Sequence, residues 1–149
     1  MAELPLTPET ALLDAVKTLL QADAGFSALA GKKIYDEIPA AKSAGDNPPY
    51  AYFGPMRRSR VESGCGEFWT VQARIYAVST SFGRRQGWAL IDAIATALNL
   101  QEVVLAAPFV QQQPFIVTQG GDVVDPLAAR QVFVDVTTTI GRSDPAQED

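Results

Sequence analysis

The sequence has 149 residues, 47% apolar and 19% charged, which places it among folded globular domains large enough to bury one core without metals or disulfides. Its 12 basic and 17 acidic residues leave a formal charge of −5, the wrong sign for a protein whose main task is to neutralise nucleic-acid phosphates. It has no histidine and one cysteine, Cys65, which removes Ser–His and Cys–His nucleophile pairs, histidine-based zinc motifs and any intrachain disulfide.

The first predicted element is a helix from Pro8 to Ala22. Thr7 suits its N-cap, Pro8 its first turn and Glu9 the positive end of its dipole. Leu12, Leu13, Val16, Leu19 and Leu20 then recur at helical spacing. A short helical turn over residues 26–30 is stopped by Gly31. Residues 34–38 read as a strand ending at Pro39, and residues 40–49 as a loop. A strand over residues 50–53 breaks or pauses at Gly54-Pro55, with Arg57, Arg58 and Arg60 just beyond and a turn at residues 63–66.

Residues 67–78 alternate: Trp69, Val71, Ala73, Ile75 and Ala77 fall on one face, and Phe68, Thr70, Gln72, Arg74 and Tyr76 on the other. A second helix is predicted over residues 82–98, with Trp88, Ile91, Ala95 and Leu98 on its apolar stripe and Leu90, Ile94 and Ala97 beside it. Residues 108–118 and 131–140 read as closing strands, with Gly120-Gly121 as a turn or bulge and Asp125-Pro126 as a break. The order predicts an α+β fold: a mostly antiparallel sheet, two helices packed on one face, and an extended hairpin arm. The chain reads as a single domain over residues 1–149, with 1–7 and 142–149 expected to be flexible. The first eight residues lack a basic n-region, and no apolar run approaches the roughly 20 residues of a membrane helix.

No constellation points to catalysis, a cofactor or a metal. Cys65 lies in Ser-Gly-Cys-Gly without a histidine to activate it, and Gly64-x-Gly66 is too short for a dinucleotide fingerprint. Asp122, Asp125 and Asp135 do not match a calcium loop and read as turn residues and a solvated strand face. Asp36 and Glu37 are adjacent in a strand and point to opposite faces, an arrangement that does not easily let them share a substrate as an acid–base pair. Trp69, Trp88, Tyr50 and Tyr52 read as core or interface anchors. Two basic patches remain: Arg57, Arg58 and Arg60 on the arm, and Arg84-Arg85, placed against the dipole of the second helix. With Glu62 and Glu67 they are the candidate interface residues, suited to an acidic partner surface or to passing DNA, or else serving as charged edge protection.

The order of elements carries a resemblance. The leading helix runs into Leu29-Ala30-Gly31, then Lys33-Ile34-Tyr35-Asp36 and Pro39, then Pro49-Tyr50-Ala51-Tyr52-Phe53-Gly54. The long alternating strand and the helix opened by Gly83-Arg84-Arg85 follow. This resembles the phage family of small tail-completion proteins found in siphophage and gene-transfer-agent clusters. The resemblance implies a tail terminator that forms a hexameric ring on the tail tube, halts tube growth and joins a head-side connector or stopper protein. It implies a place in the tail or neck of a particle assembled in the bacterial cytoplasm, with DNA passing through the lumen unbound. It implies no membrane contact, no cofactor and no catalytic residue. Residues 40–48 and 101–114 are longer than the family pattern and are expected to face partners. The arm, residues 57–67, is expected to contact a neighbouring subunit or the tube. The competing readings are a head-completion or stopper protein of the neck and a small-molecule- or peptide-binding domain.

Overall fold

The computed structural model describes residues 4–36, 49–61, 66–79, 84–123 and 131–142. Helix α1 spans Pro8–Ala22 and starts on a reciprocal cap: the Thr7 hydroxyl accepts from Thr10 N at 3.2 Å, and Thr10 Oγ1 accepts from Thr7 N at 3.0 Å. Ala11, Leu12, Val16 and Leu20 face the core. Asp23 ends α1 and at once caps α2, Ala24–Ala30, accepting from Phe26 N at 2.9 Å. The predicted single turn is thus a full short helix. Gly31 stops it at φ +63°, a conformation glycine adopts without a side-chain penalty.

The strands are β1 Ile34–Tyr35, β2 Tyr50–Val61, β3 Phe68–Val78, β4 Phe109–Gln111, β5 Ile116–Val123 and β6 Gln131–Arg142. Their order in the sheet is β1-β2-β3-β6, with β4 and β5 both pairing along the far side of β6. Among the described residues only the β1–β2 pair is parallel. The α+β architecture expected from the element order is present, with α2 as a third helix beyond the two expected.

Gly54-Pro55 does not end β2. The pairing slips between Phe53 and Met56, so a bulge absorbs the two residues and the strand continues to Val61. Proline is tolerated here because no described strand pairs with β2 on its outer side beyond Tyr52. Gly120 and Gly121 likewise make no turn. They lie inside β5, and the slip occurs one step earlier, between Val117 and Gln119. Strands β4 and β5 are two stretches of one margin. Gln112 N donates to Thr139 O at 2.7 Å, and the buried Thr138 hydroxyl donates to Gln113 O at 2.7 Å across the interruption.

The alternation of β3 holds as expected. Trp69, Val71, Ala73, Ile75 and Ala77 are buried, opposite Ile140, Thr138, Val136, Val134 and Val132 of β6. Helices α1 and α2, with a third helix α3 over Arg85–Leu98, cover this inner face in one cluster that includes Leu20, Phe26, Leu90, Ile94 and Leu98. Each fully buried large aliphatic side chain stabilises the fold by about 1.5–3 kcal/mol.

Helix α3, Arg85–Leu98, differs from its predicted face. Gly87, Leu90, Ile91, Ile94 and Leu98 are buried, while Trp88 is 40% exposed. The cause is Gly87: a Cβ there would stand 2.8 Å from Val132 Cγ2, so the helix backbone lies directly on β6 at this point. Turning Gly87 inward turns Trp88 out, and its ring settles over Gly120 of β5. The helix expected from residue 82 begins at Arg85, with Arg84 as its N-cap, and the strand expected over residues 34–38 ends at Tyr35, with Asp36 already outside it.

Candidate assembly surfaces

The three arm arginines do not form one patch. Alternation along β2 sends Arg58 and Arg60 to the helix side of the sheet and Arg57 to the other side. Arg58 pairs with Glu9 of α1 at 3.2 Å, and its guanidinium carbon lies 5.7 Å from the Trp69 ring centroid. Arg142 approaches the same ring at 5.7 Å and meets Glu67 at 3.5 Å, and Phe109 packs edge-on at 6.2 Å. Trp69 is therefore the anchor of the arm end, with two cations on it and 9% of its surface exposed. Arg57 and Arg60 are exposed and make no ion pair with any described residue. Glu62 and Cys65 lie outside the described residues. The arm is integral to the sheet, because Met56 to Val61 pair with Ala73 to Phe68.

Arg84 and Arg85 sit at the opposite end of the strands from the arm. The span from the Ala77–Val132 pair to the Phe68–Gly141 pair is nine residues, about 30 Å of strand. Arg84 holds the N-cap position of α3 without a side-chain cap. Its Nε meets Asp122 Oδ2 at 2.7 Å, so a carboxylate offsets the cation at the positive end of the helix dipole. Arg85 is exposed and makes no ion pair with a described residue.

The outer face of the sheet carries a feature not picked out from the sequence. Tyr35, Tyr50, Tyr52, Tyr76 and Phe133 form a continuous aromatic row, with successive centroids 5.7, 6.4, 5.1 and 6.1 Å apart. Tyr52 Oη donates to Gln131 Oε1 at 3.0 Å, and burial, followed by its tyrosine neighbours, pushes its ionisation up. Beside the row, Asp135 is fully buried, which corrects its reading as a solvated strand residue. Arg74 gives it two hydrogen bonds and Gln119 Nε2 a third at 2.6 Å. The Arg74 hydrogen bond holds the carboxyl below its usual range, against the opposing effect of burial. Register, which sequence spacing alone does not reveal, brings these residues together. A shallow cleft of about 250 Å³ lies there, bounded by Pro55, Met56, Arg57, Gln72, Arg74 and Asp135.

A second concavity, about 540 Å³, runs between α1 and the segment after α3, lined by Ala11, Ala15, Leu19, Val103 and Val104. Only Asp14 and Thr18 bring polar side chains to it, too few convergent groups for a small-molecule site. Among the described residues no group of three or more His, Cys, Asp or Glu could hold a metal, and no helix is long and apolar enough to cross a membrane. Asp36 pairs with Lys17 at 3.6 Å, while Glu37 and Asp125 lie outside the described residues.

No curated protein matches the chain significantly. Among solved structures, it is similar to a chain of "Virion of native gene transfer agent (GTA) particle", with a TM-score of 0.79 and 21% identity, covering 92% of this chain and 99% of that one. At that identity the likeness shows a shared fold. The sequence itself matches the family described as "Tail completion protein gp17" over residues 14–141. The chain belongs to that tail-completion family and is a structural assembly protein of a phage-like particle.

Proposed function

We propose that the protein is a tail terminator: six copies form a ring on the end of the tail tube, stop its polymerisation and join it to the head-side connector. Its work in this reading is assembly through surfaces, with no catalysis, and DNA passes through the lumen without specific contacts. The observation that carries the reading is the unlike character of the two ends of one sheet. The arm end presents Arg57, Arg58, Arg60 and the Trp69 anchor. The other end, about 30 Å away, presents Arg85 and the neutralised Arg84–Asp122 pair. A terminator needs this asymmetry, since one end must copy the docking surface of a tube subunit and the other must lack it. Strands lying along the tube axis would direct the arm end to the tube and the α3 end to the connector.

Electron microscopy of particles made without the protein tests this. Tails of uncontrolled length, unattached to filled heads, are expected. Filled tailless heads beside free tails of normal length would instead put the protein on the head side of the neck.

A further inference from the structure

Six copies in a ring need a contact that repeats, and the charges left over within one copy point to it. Among the described residues, the carboxylates with neither an ion pair nor a hydrogen bond are Asp14, Asp92 and Glu102. All three lie on the helix side of the sheet: on α1, on α3 and just after α3. The cations left over are Lys32, Arg57, Arg60 and Arg85. The first three belong to the β1–β2 margin, Lys32 two residues before β1 and the arginines on β2. The unspent charge is thus divided between an acidic helix layer and a basic sheet margin.

The two surfaces also differ in shape. The apolar groove of about 540 Å³ runs through the acidic one, with Asp14 on its α1 wall and Glu102 one residue before Val103 of the other wall. The basic one is a ridge. No described strand lies outside β2 beyond Tyr52, and Arg57 and Arg60 project from opposite faces of its edge. Their heights along the strands agree. Glu9 of α1 pairs with Arg58, and Lys17 pairs with Asp36, just past the Tyr35–Tyr52 pairing. Asp14 lies between Glu9 and Lys17 on α1, so its height falls between those of Arg58 and Tyr52. Gln101 O accepts from Phe115 N at 3.0 Å, and the next residue, Ile116, stands across from Arg57 by way of Thr137 and Gln72. Glu102 is therefore close to the height of Arg57 as well. A second copy rotated about an axis along the strands keeps these heights.

We propose that the ring contact joins them: the β2 edge of one copy seats on the α1 groove of a second copy, with Arg57 and Arg60 reaching Asp14 and Glu102 on its two walls. The arginine stems lie on Ala15, Leu19 and Val104, and their guanidiniums meet the carboxylates at the rim. The backbone edge stays outside the groove, where its unpaired N–H and C=O groups keep water. Because the two surfaces are unlike, the contact is head-to-tail. One is an edge of the sheet and the other covers its face, so they are not back to back. Each added copy therefore turns relative to the last, as a closing ring requires. Contact through two β2 edges would oppose arginine to arginine, which disfavours a two-fold dimer there. Both ends of the sheet stay free for the tube and the connector.

This proposal rests on the ring reading, and the test separates the two. A photoreactive benzoylphenylalanine is placed at Val104, which is 96% exposed on the groove wall, in producing cells. Purified particles are irradiated, and the cross-linked peptides are sequenced from the band of twice the protein's mass on a denaturing gel, which holds only links between copies. The expected cross-link joins residue 104 of one copy to residues 56–61 of another. Links between copies only at other positions, links only to another protein, or none from particles that contain the protein, would overturn it. Imaging of the tail end in the same particles reports on the ring itself. Six copies without the cross-link would leave the ring and remove this contact, whereas no ring at the tail end would remove the reading beneath it. As a second readout, Asp14→Arg with Glu102→Arg should lower tail completion about tenfold or more, because cation then faces cation. Adding Arg57→Glu and Arg60→Glu exchanges the charges across the contact and should restore completion to within about threefold of wild type. Wild-type completion by the first variant, or no recovery in the second, would also overturn the proposal.

Discussion

Arg74 on β3 and Asp135 on β6 stand directly opposite each other, and the guanidinium donates to both carboxylate oxygens, Nε to Oδ1 at 2.8 Å and Nη2 to Oδ2 at 3.0 Å. Their exposure differs: the Asp135 side chain is 0% exposed and that of Arg74 32%. Arg74 also lies over the Phe133 ring at 4.0 Å, so it closes the outer face above a buried charge. Removing the cation alone strands that charge. Arg74→Met is expected to cost about 3 kcal/mol in urea unfolding, at the low end for a buried pair because the guanidinium keeps some solvent. Arg74→Met with Asp135→Leu should recover most of the loss, since the cost comes from the unpaired carboxylate.

The same pair sets an acid dependence. The folded-state ionisation of Asp135 is lowered, so the unfolded chain takes up its proton first as pH falls. The contribution is fully present above about pH 4, the ordinary aspartate range, and is lost as pH drops from there through the folded value. Unfolding midpoints of the wild type and of Asp135→Asn, measured between pH 3 and pH 6, should differ most at pH 6 and converge towards pH 3. A constant difference across that range would show that the charge contributes nothing.

Gly87 gives a packing test. Alanine is the better helix former by about 1 kcal/mol, so Gly87→Ala would stabilise an unconstrained helix. Here the new methyl meets Val132, and α3 must lift from the sheet. A net loss of about 1–2 kcal/mol is expected, relieved by Val132→Ala in the same chain. Thermal unfolding of the two single variants and the double would show whether the effects cancel.

These cases also show what was legible before the structure. Helix α1, β3 and β6 follow from periodicity and capping, because one face of each is buried and the pattern must repeat. The same spacing puts Trp88 on the apolar stripe of α3 as a core or interface anchor, and the structure leaves it 40% exposed. Amphipathic spacing cannot tell that a glycine, and not an indole, is the residue pressed against the sheet. Gly54-Pro55 and Gly120-Gly121 read as breaks because glycine and proline usually are. On a sheet margin, a proline costs no ladder bond and glycines leave room for the Trp88 and Phe133 rings. The Arg74–Asp135 pair and the tyrosine row depend on register between strands up to 61 residues apart. Alternation alone separates Arg57 from Arg58 and Arg60, but which set faces the helices is not legible, because the bulge before Met56 resets the alternation.

Leu100 follows the end of α3 with φ +64°, a conformation that costs a non-glycine residue about 1–2 kcal/mol. It is 65% exposed, so its side chain gains little burial in return. Leu100→Gly should therefore raise stability, by up to about 1 kcal/mol once the extra freedom of the unfolded chain is counted. Its neighbours are Phe115, whose carbonyl it binds at 2.7 Å, and the exposed Ile116. If strain is kept here for the sake of an apolar contact between copies, the more stable variant should complete tails less well. Particle yield and unfolding free energy, measured together, would then move in opposite directions.

The arm arginines should separate stability from assembly. Arg58→Ala removes a partly exposed ion pair with Glu9 and one cation from the Trp69 ring, at an expected cost of no more than about 1 kcal/mol. Arg57 and Arg60 have no described charge partner, so Arg57→Glu with Arg60→Glu should change the unfolding free energy by less than about 0.5 kcal/mol. The double reversal nonetheless replaces two cations with two anions on the β2 edge and should abolish tail completion. Unfolding curves would show the fold intact while complementation fails. If complementation is normal, these arginines serve only to keep a lone sheet edge from sticking, which is the other use that exposed edges make of charge.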